Sequence, residues 1–171
     1  EISVANSLMG TVQGENIGYQ GVTALANGSY VVSNSNWSGG GIASAGAVTF
    51  GSGEMGISGE ISATNSLVGS SPLDMLDSAG VMALPNGNYV VRSRYWDNGA
   101  IGDAGAVTLG LSDGSVTGPV DSSNSVLGLS FANGFLQRVD YDAHRNQLVV
   151  GQPASNRVVL HRPGIATVIT I

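Results

Sequence analysis

Cysteine is absent from the 171 residues, so is lysine, and charged residues make up only 11%. Without cysteine there is no disulfide, no thiolate metal site and no cysteine nucleophile. Without lysine, all six basic residues are arginine; the twelve acids bring the net charge to −6 and the isoelectric point to about 4.5. Nucleic-acid binders carry a basic face, and anionic membranes attract basic segments, so neither partner is expected. Long apolar runs are also missing, and nothing approaches the length of a membrane-spanning helix. No basic-then-apolar segment opens the chain, which begins at Glu1 rather than methionine. Such a start is expected of a processed chain or a fragment.

The hydrophobic fraction is 42%, too high for a chain disordered through low hydrophobicity and high charge. Glycine is plentiful, 26 residues, but follows no three-residue period, so collagen is excluded. Low charge with much Gly, Ser, Thr and Asn resembles bacterial exported surface proteins. A secreted or cell-surface location is therefore expected.

The dominant feature is an internal repeat. Asn6-Ser7-Leu8-Met9-Gly10 recurs as Asn65-Ser66-Leu67-Val68-Gly69 and again as Asn124-Ser125-Val126-Leu127-Gly128, each time 59 residues further on. The same step relates Asn27-Gly28-Ser29-Tyr30-Val31-Val32 to Asn86-Gly87-Asn88-Tyr89-Val90-Val91 and Trp37 to Trp96. It also relates Ala45-Gly46-Ala47-Val48-Thr49 to Ala104-Gly105-Ala106-Val107-Thr108. The chain thus divides into modules 1–59, 60–118 and 119–171 of a single repeat domain. The third module diverges: Leu148-Val149-Val150 stays in step, but Arg157-Val158-Val159-Leu160 replaces Ala106-Val107-Thr108-Leu109 after a deletion. It carries four of the six arginines, and the module charges are −3, −4 and +1. A divergent last copy is expected of a terminal cap.

Each module predicts about four short strands. Gly21–Leu25 and Ser29–Ser33 flank Asn27-Gly28, a strong hairpin signal expected to form a two-residue type I′ turn. A Ser/Gly loop follows, then strands over Ala45–Phe50 and Gly56–Ile61. No ten-residue stretch has a helical period, so the class is all-β. Four-stranded units at this spacing suggest β-propeller blades.

Ile17-Gly18-Tyr19, Tyr30-Val31-Val32-Ser33-Asn34 and Gly46-Ala47-Val48-Thr49-Phe50 stand in the order of an FG-GAP repeat. Leu148-Val149-Val150-Gly151-Gln152-Pro153 followed by Asn156-Arg157-Val158-Val159-Leu160 is closer still. The modules therefore resemble FG-GAP repeats, the blades of integrin α-subunit propellers and their bacterial relatives. The Asn-Gly-Asn-Tyr-Val-Val and Gly-Ala-Val-Thr elements are also similar to repeat arrays in large filamentous-haemagglutinin-like bacterial surface proteins. The first resemblance implies propeller blades, and the second a surface location. A closed three-fold β domain, a β-trefoil or β-prism, is the rival architecture.

FG-GAP loops often bind Ca²⁺ through several converging carboxylates. Modules one and two have only Ala26-Asn27-Gly28 and Pro85-Asn86-Gly87 there, with no carboxylate. Module three offers Asp140, Asp142 and Asn146, with His144, Arg145 and Leu148 at the remaining pattern positions. A solvated turn is the expectation there, and no metal or other cofactor is expected. Trp37 and Trp96, beside Asn36 and Asp97, admit two roles. They either pack between sheets or, with Asn36 and Asp97, form a platform for a sugar or a partner protein. Gly39-Gly40-Gly41 lacks the strand–helix context and lysine of a phosphate cradle. No nucleophile elbow and no paired catalytic acids are present, so catalysis is not expected. The expected function is an adhesion or protein-interaction scaffold, with a carbohydrate-binding module as the rival. Propellers have roughly four to eight blades, so three modules predict association with other blades or with a second copy as a homodimer.

Overall fold

The structure is a computed structural model and describes residues 1–162 and 165–167. It is all-β, with three-residue 3-10 turns the only helical segments among the described residues. In chain order the strands are β1 (Leu8–Met9), β2 (Val22–Ala24), β3 (Tyr30–Asn34), β4 (Ala47–Gly51), β5 (Gly59–Glu60) and β6 (Ser66–Val68). They continue as β7 (Val81–Ala83), β8 (Tyr89–Ser93), β9 (Ala106–Gly110), β10 (Gly118–Pro119) and β11 (Ser125–Leu127). The third module adds β12 (Arg138–Asp142), β13 (Gln147–Gln152), β14 (Arg157–Arg162) and β15 (Ile165–Thr167).

The expected hairpins form, with β2 antiparallel to β3 and β7 antiparallel to β8. Their turns are not two-residue type I′. Leu25 N–H donates to Ser29 O (2.8 Å) and Gly28 N–H to Leu25 O (3.1 Å), and the same bonds join Leu84, Asn88 and Gly87. This is a three-residue loop: a tight turn over Ala26-Asn27 or Pro85-Asn86, then a glycine at φ 85° or 84°. The asparagines stay at negative φ. Pro85 presets the φ that the first turn position needs, which a type I′ turn forbids.

The sheets are offset from the modules. β2, β3 and β4 are completed by β6 of the following module, and β7, β8 and β9 by β11. The expected strand over Gly56–Ile61 shrinks to β5, with Ser52 and Gly56 bridged ahead of it. Its role is different: β5 and β10, which straddle the module boundaries, run parallel to β1 and β6. In the third module β12, β13 and β14 occupy the places of β7, β8 and β9. There the fourth strand is β15, from the chain's own tail.

Successive sheets stack face to face. One core joins Val31, Val48 and Leu67 of the first sheet to Tyr89, Val91 and Ala106 of the second. The next joins Val90, Val107 and Val126 to Leu148, Val150 and Val159. Alternate residues of β8 thus enter opposite cores, since side chains alternate across a strand. A strand buried on both faces reads as a continuous apolar run, which is why Tyr89-Val90-Val91 shows no polar alternation.

Candidate functional site

The joints between modules are built from residues that recur every 59 positions. Asn6, Asn65 and Asn124 close the same turn ahead of β1, β6 and β11. Each accepts through Oδ1 from the backbone N–H of residue 3, 62 or 121, at 2.9, 2.9 and 3.0 Å. Each donates through Nδ2 to the carbonyl of residue 1, 60 or 119, at 2.9, 2.9 and 2.8 Å. This turn aims the next strand at the preceding sheet.

After that strand comes a loop held by a buried carboxylate. Glu15 accepts from Thr11 N–H (2.7 Å), Val12 N–H (3.3 Å) and Ser38 N–H (2.8 Å). Asp74, 59 residues on and fully buried, accepts from Ser70 and Ser71 (both 2.8 Å) and Asp97 (3.0 Å). Burial raises the Asp74 pKa above the usual carboxylate value, and the amides of Asp97, Ser70 and Ser71 partly offset this. The third copy is Asn133, also fully buried, with neither side-chain polar atom hydrogen-bonded. Sequence comparison missed this position because Glu, Asp and Asn are not identical, although they share the spacing and the capacity to accept amide protons.

Near this joint, Asp77 is 6% exposed, and one of its carboxylate oxygens has no partner. Burial pushes its pKa up to about 6, with only the Ser33 hydroxyl opposing. Its own N–H donates to the Ser93 hydroxyl (3.1 Å).

Trp37 and Trp96 are 5% and 4% exposed, and their indole nitrogens are buried without a partner. Trp37 packs with Ala45, Ala47, Ile61 and Val68, and Trp96 lies in the core between the first two sheets. Gly39 lies against the Trp37 ring so closely that a Cβ there would sit 1.8 Å from Cζ2. Asp97 is half-buried and tied back, since its Oδ1 accepts from Asp103 N–H (2.8 Å) as Ser38 Oγ accepts from Ser44 N–H (3.0 Å). Asn36 is half-buried beside Trp37, and its N–H donates to Asn34 Oδ1 (3.2 Å). Asn36 and Trp37 are therefore neighbours on one loop, and Trp96 and Asp97 on the next, without converging on one site.

Two clefts do recur. One of about 580 Å³ is lined by Trp37, Gly39, Ala63, Val68 and Ser70 among others. Another of about 480 Å³ is lined by Asn98, Ser122, Leu127 and Leu129, the counterparts of Gly39, Ala63, Val68 and Ser70. Their chemistry differs: Glu60 borders the first, Arg157 and His161 the second. Burial lowers the His161 pKa, keeping the ring neutral near pH 7.

Asp140 and Asp142 of the third module lie on the β12–β13 hairpin. Asp140 accepts from Tyr141 N–H (2.8 Å), and Asp142 from the N–H groups of His144 and Arg145 (3.0 and 3.1 Å). Asp142 also pairs with Arg145 at 2.9 Å, which lowers its pKa. Asn146 Oδ1 accepts from the Tyr141 hydroxyl and from Asn86 Nδ2 (3.2 Å). Asn146 thus serves the joint to the second module's hairpin. Among the described residues no three His, Asp or Glu side chains are grouped as metal ligands.

A family model described as a repeat of unknown function (DUF5650) matches the chain twice, over residues 24–78 and 83–134. Each match runs past the module boundary into the strand that completes the sheet. No curated protein and no solved structure matches the chain.

Proposed function

The chain belongs to the DUF5650 repeat family, and from that premise we propose that it is a non-catalytic scaffold of a bacterial exported or cell-surface protein, serving adhesion or protein interaction. The observation that carries this reading is where the recurring side chains go. Asn65, Asp74, Trp96 and the hydroxyls of Thr108 and Ser125 are all turned to joints within and between modules. Repetition in this sequence therefore preserves assembly. Burial of both indoles speaks against a stacking platform for sugars, which needs an exposed ring face.

The finer architecture we propose is a propeller of FG-GAP-like blades. Three features support it. Each of the three large sheets holds four antiparallel strands, with parallel β10 added to the first; the fourth strand is lent by the next repeat in the first two; and the first strands β2 and β7 of adjacent sheets lie close together.

The experiment is a glycan array probed with the purified chain, run beside protease digestion of intact cells that make the protein. The scaffold reading expects no glycan bound above background and cleavage of the protein from outside. A glycan retained by the parent and lost in Trp37→Ala at unchanged melting temperature would replace it with the carbohydrate-binding reading. A protein that resists external protease until cells are lysed would remove the surface location.

A further inference from the structure

The first module carries the same docking apparatus as the second and third, but among the described residues nothing is docked on it. β6 is flanked on both sides: parallel β10 on one edge, and antiparallel β4 of the preceding module on the other, with Ala47 opposite Val68, Val48 opposite Leu67 and Thr49 opposite Ser66. β11 meets β9 in the same register. β1 has its parallel neighbour β5 and, among the described residues, no antiparallel one.

The following loop repeats the pattern. Gly69, Leu73 and Met75 donate their N–H groups to Gly46, Ala43 and Ser44 of the preceding module, at 3.1, 2.9 and 3.1 Å. Gly128, Ala132 and Gly134 donate to Gly105, Gly102 and Asp103, at 2.8, 3.2 and 3.0 Å. The counterparts in the first module are Gly10, Gly14 and Asn16, whose N–H groups make no such bond among the described residues. Their loop is nevertheless already shaped for docking. Gly14, Leu73 and Ala132 all have left-handed φ (95°, 68° and 56°), as do Asn16 and Met75 (52° and 42°). Ser7 is half-buried where Ser66 and Ser125 are buried, and it lacks the threonine hydroxyl that each of those meets.

A second folded copy cannot seat β1 as β6 and β11 are seated, because the strands that hold that position are already paired on both sides. β4 is occupied by β3 and β6, β9 by β8 and β11, and β14 by β13 and β15. We propose that the β1 edge and the 10–17 loop form an acceptor for one further DUF5650 repeat lying ahead of this one. That repeat lays its Ala-Val-Thr strand antiparallel on β1, with Thr opposite Ser7, Val opposite Leu8 and Ala opposite Met9. Carbonyls of its preceding loop accept from Gly10, Gly14 and Asn16. The proposal rests on the scaffold reading for its purpose, but not for its geometry.

The test joins an extra copy of residues 1–59 ahead of Glu1 and follows amide hydrogen exchange by NMR. Exchange at Gly10, Gly14 and Asn16 should slow by at least about tenfold relative to the parent, and Val48→Pro in the added copy should abolish the protection. Unchanged exchange at all three amides would overturn the proposal. So would equal protection in the parent when its concentration is raised, which would make a second copy the occupant. If the extended chain does not fold, a peptide of residues 36–51 added to the parent should shift the signals of Ser7, Leu8 and Met9, and its Val48→Pro version should not. A peptide that shifts none of them also overturns it. Glycan binding would sink the scaffold reading and leave this result untouched.

Discussion

Thr49 and Ser66 share a buried hydrogen bond of 2.7 Å between their hydroxyls, across the seam where one repeat completes the sheet of another. Thr108 and Ser125 repeat it at 2.6 Å, 59 residues later. Hydroxyls are costly to bury alone and nearly neutral to bury as a pair. The seam therefore discriminates in favour of a strand with serine at this one register.

Removing one hydroxyl of the pair should show this. Ser66→Ala leaves the Thr49 oxygen buried without its partner and should cost about 1–3 kcal/mol in urea unfolding. Adding Thr49→Val should recover part of the loss. Ser7→Ala, at the open edge, should cost much less than Ser66→Ala. Equal losses at Ser7 and Ser66 would contradict the seam assignment.

Asp77 makes stability fall with rising pH. Its pKa is raised from 3.8 to about 6 in the fold. The folded state therefore holds the proton that the unfolded state releases, and stability is lost as pH climbs from about 4 through 6. A shift of about two units corresponds to roughly 3 kcal/mol. Asp77→Asn should match the parent below about pH 4 and exceed it by up to about 3 kcal/mol at pH 8. Urea unfolding at both pH values checks this, and a variant less stable than the parent at pH 8 contradicts it.

Asp74 holds its loop by accepting three backbone amides. Asp74→Ala strands those donors in a buried joint, so a loss of roughly 3 kcal/mol or more is expected. Asp74→Asn keeps one acceptor oxygen and should lose less. Equal stability of the alanine variant and the parent would show that the loop is held by something else.

The hairpin glycines separate strain from crowding. Gly28 and Gly87 both have φ near 85°, which costs a β-branched residue about 1–2 kcal/mol. A Cβ at Gly28 meets open space, whereas one at Gly87 lies 3.1 Å from Asn27 Cβ and 3.2 Å from Ser112 Cβ. Gly87→Val should therefore be the more destabilising of the two by thermal unfolding. The reverse order would mean that the hairpin tips of neighbouring modules do not touch.

The 59-residue step and the all-β class were legible because identical residues close the same turn three times and because strands carry no helical period. The hairpins were legible from Asn27-Gly28 and Asn86-Gly87. Their turn type was not, because Asn-Gly suits both a two-residue loop and the end of a three-residue one, and Pro85 decides between them. The strand exchange was hidden for a different reason. A repeat sequence fixes its period but not its phase, so Ser66–Val68 reads equally well as starting its own module or finishing the previous one. The loop-holding residues of the joints were hidden by chemistry: Glu15, Asp74 and Asn133 share a position without sharing an identity.

The repeated tryptophans give the most direct measurement. If the recurring residues exist to join modules, Trp96→Ala removes a side chain from the core between two sheets and should lower unfolding stability by roughly 3–5 kcal/mol. Parent emission should be blue-shifted and resist iodide quenching. Unchanged stability in Trp96→Ala, with parent emission red-shifted and readily quenched, would contradict a role in assembly.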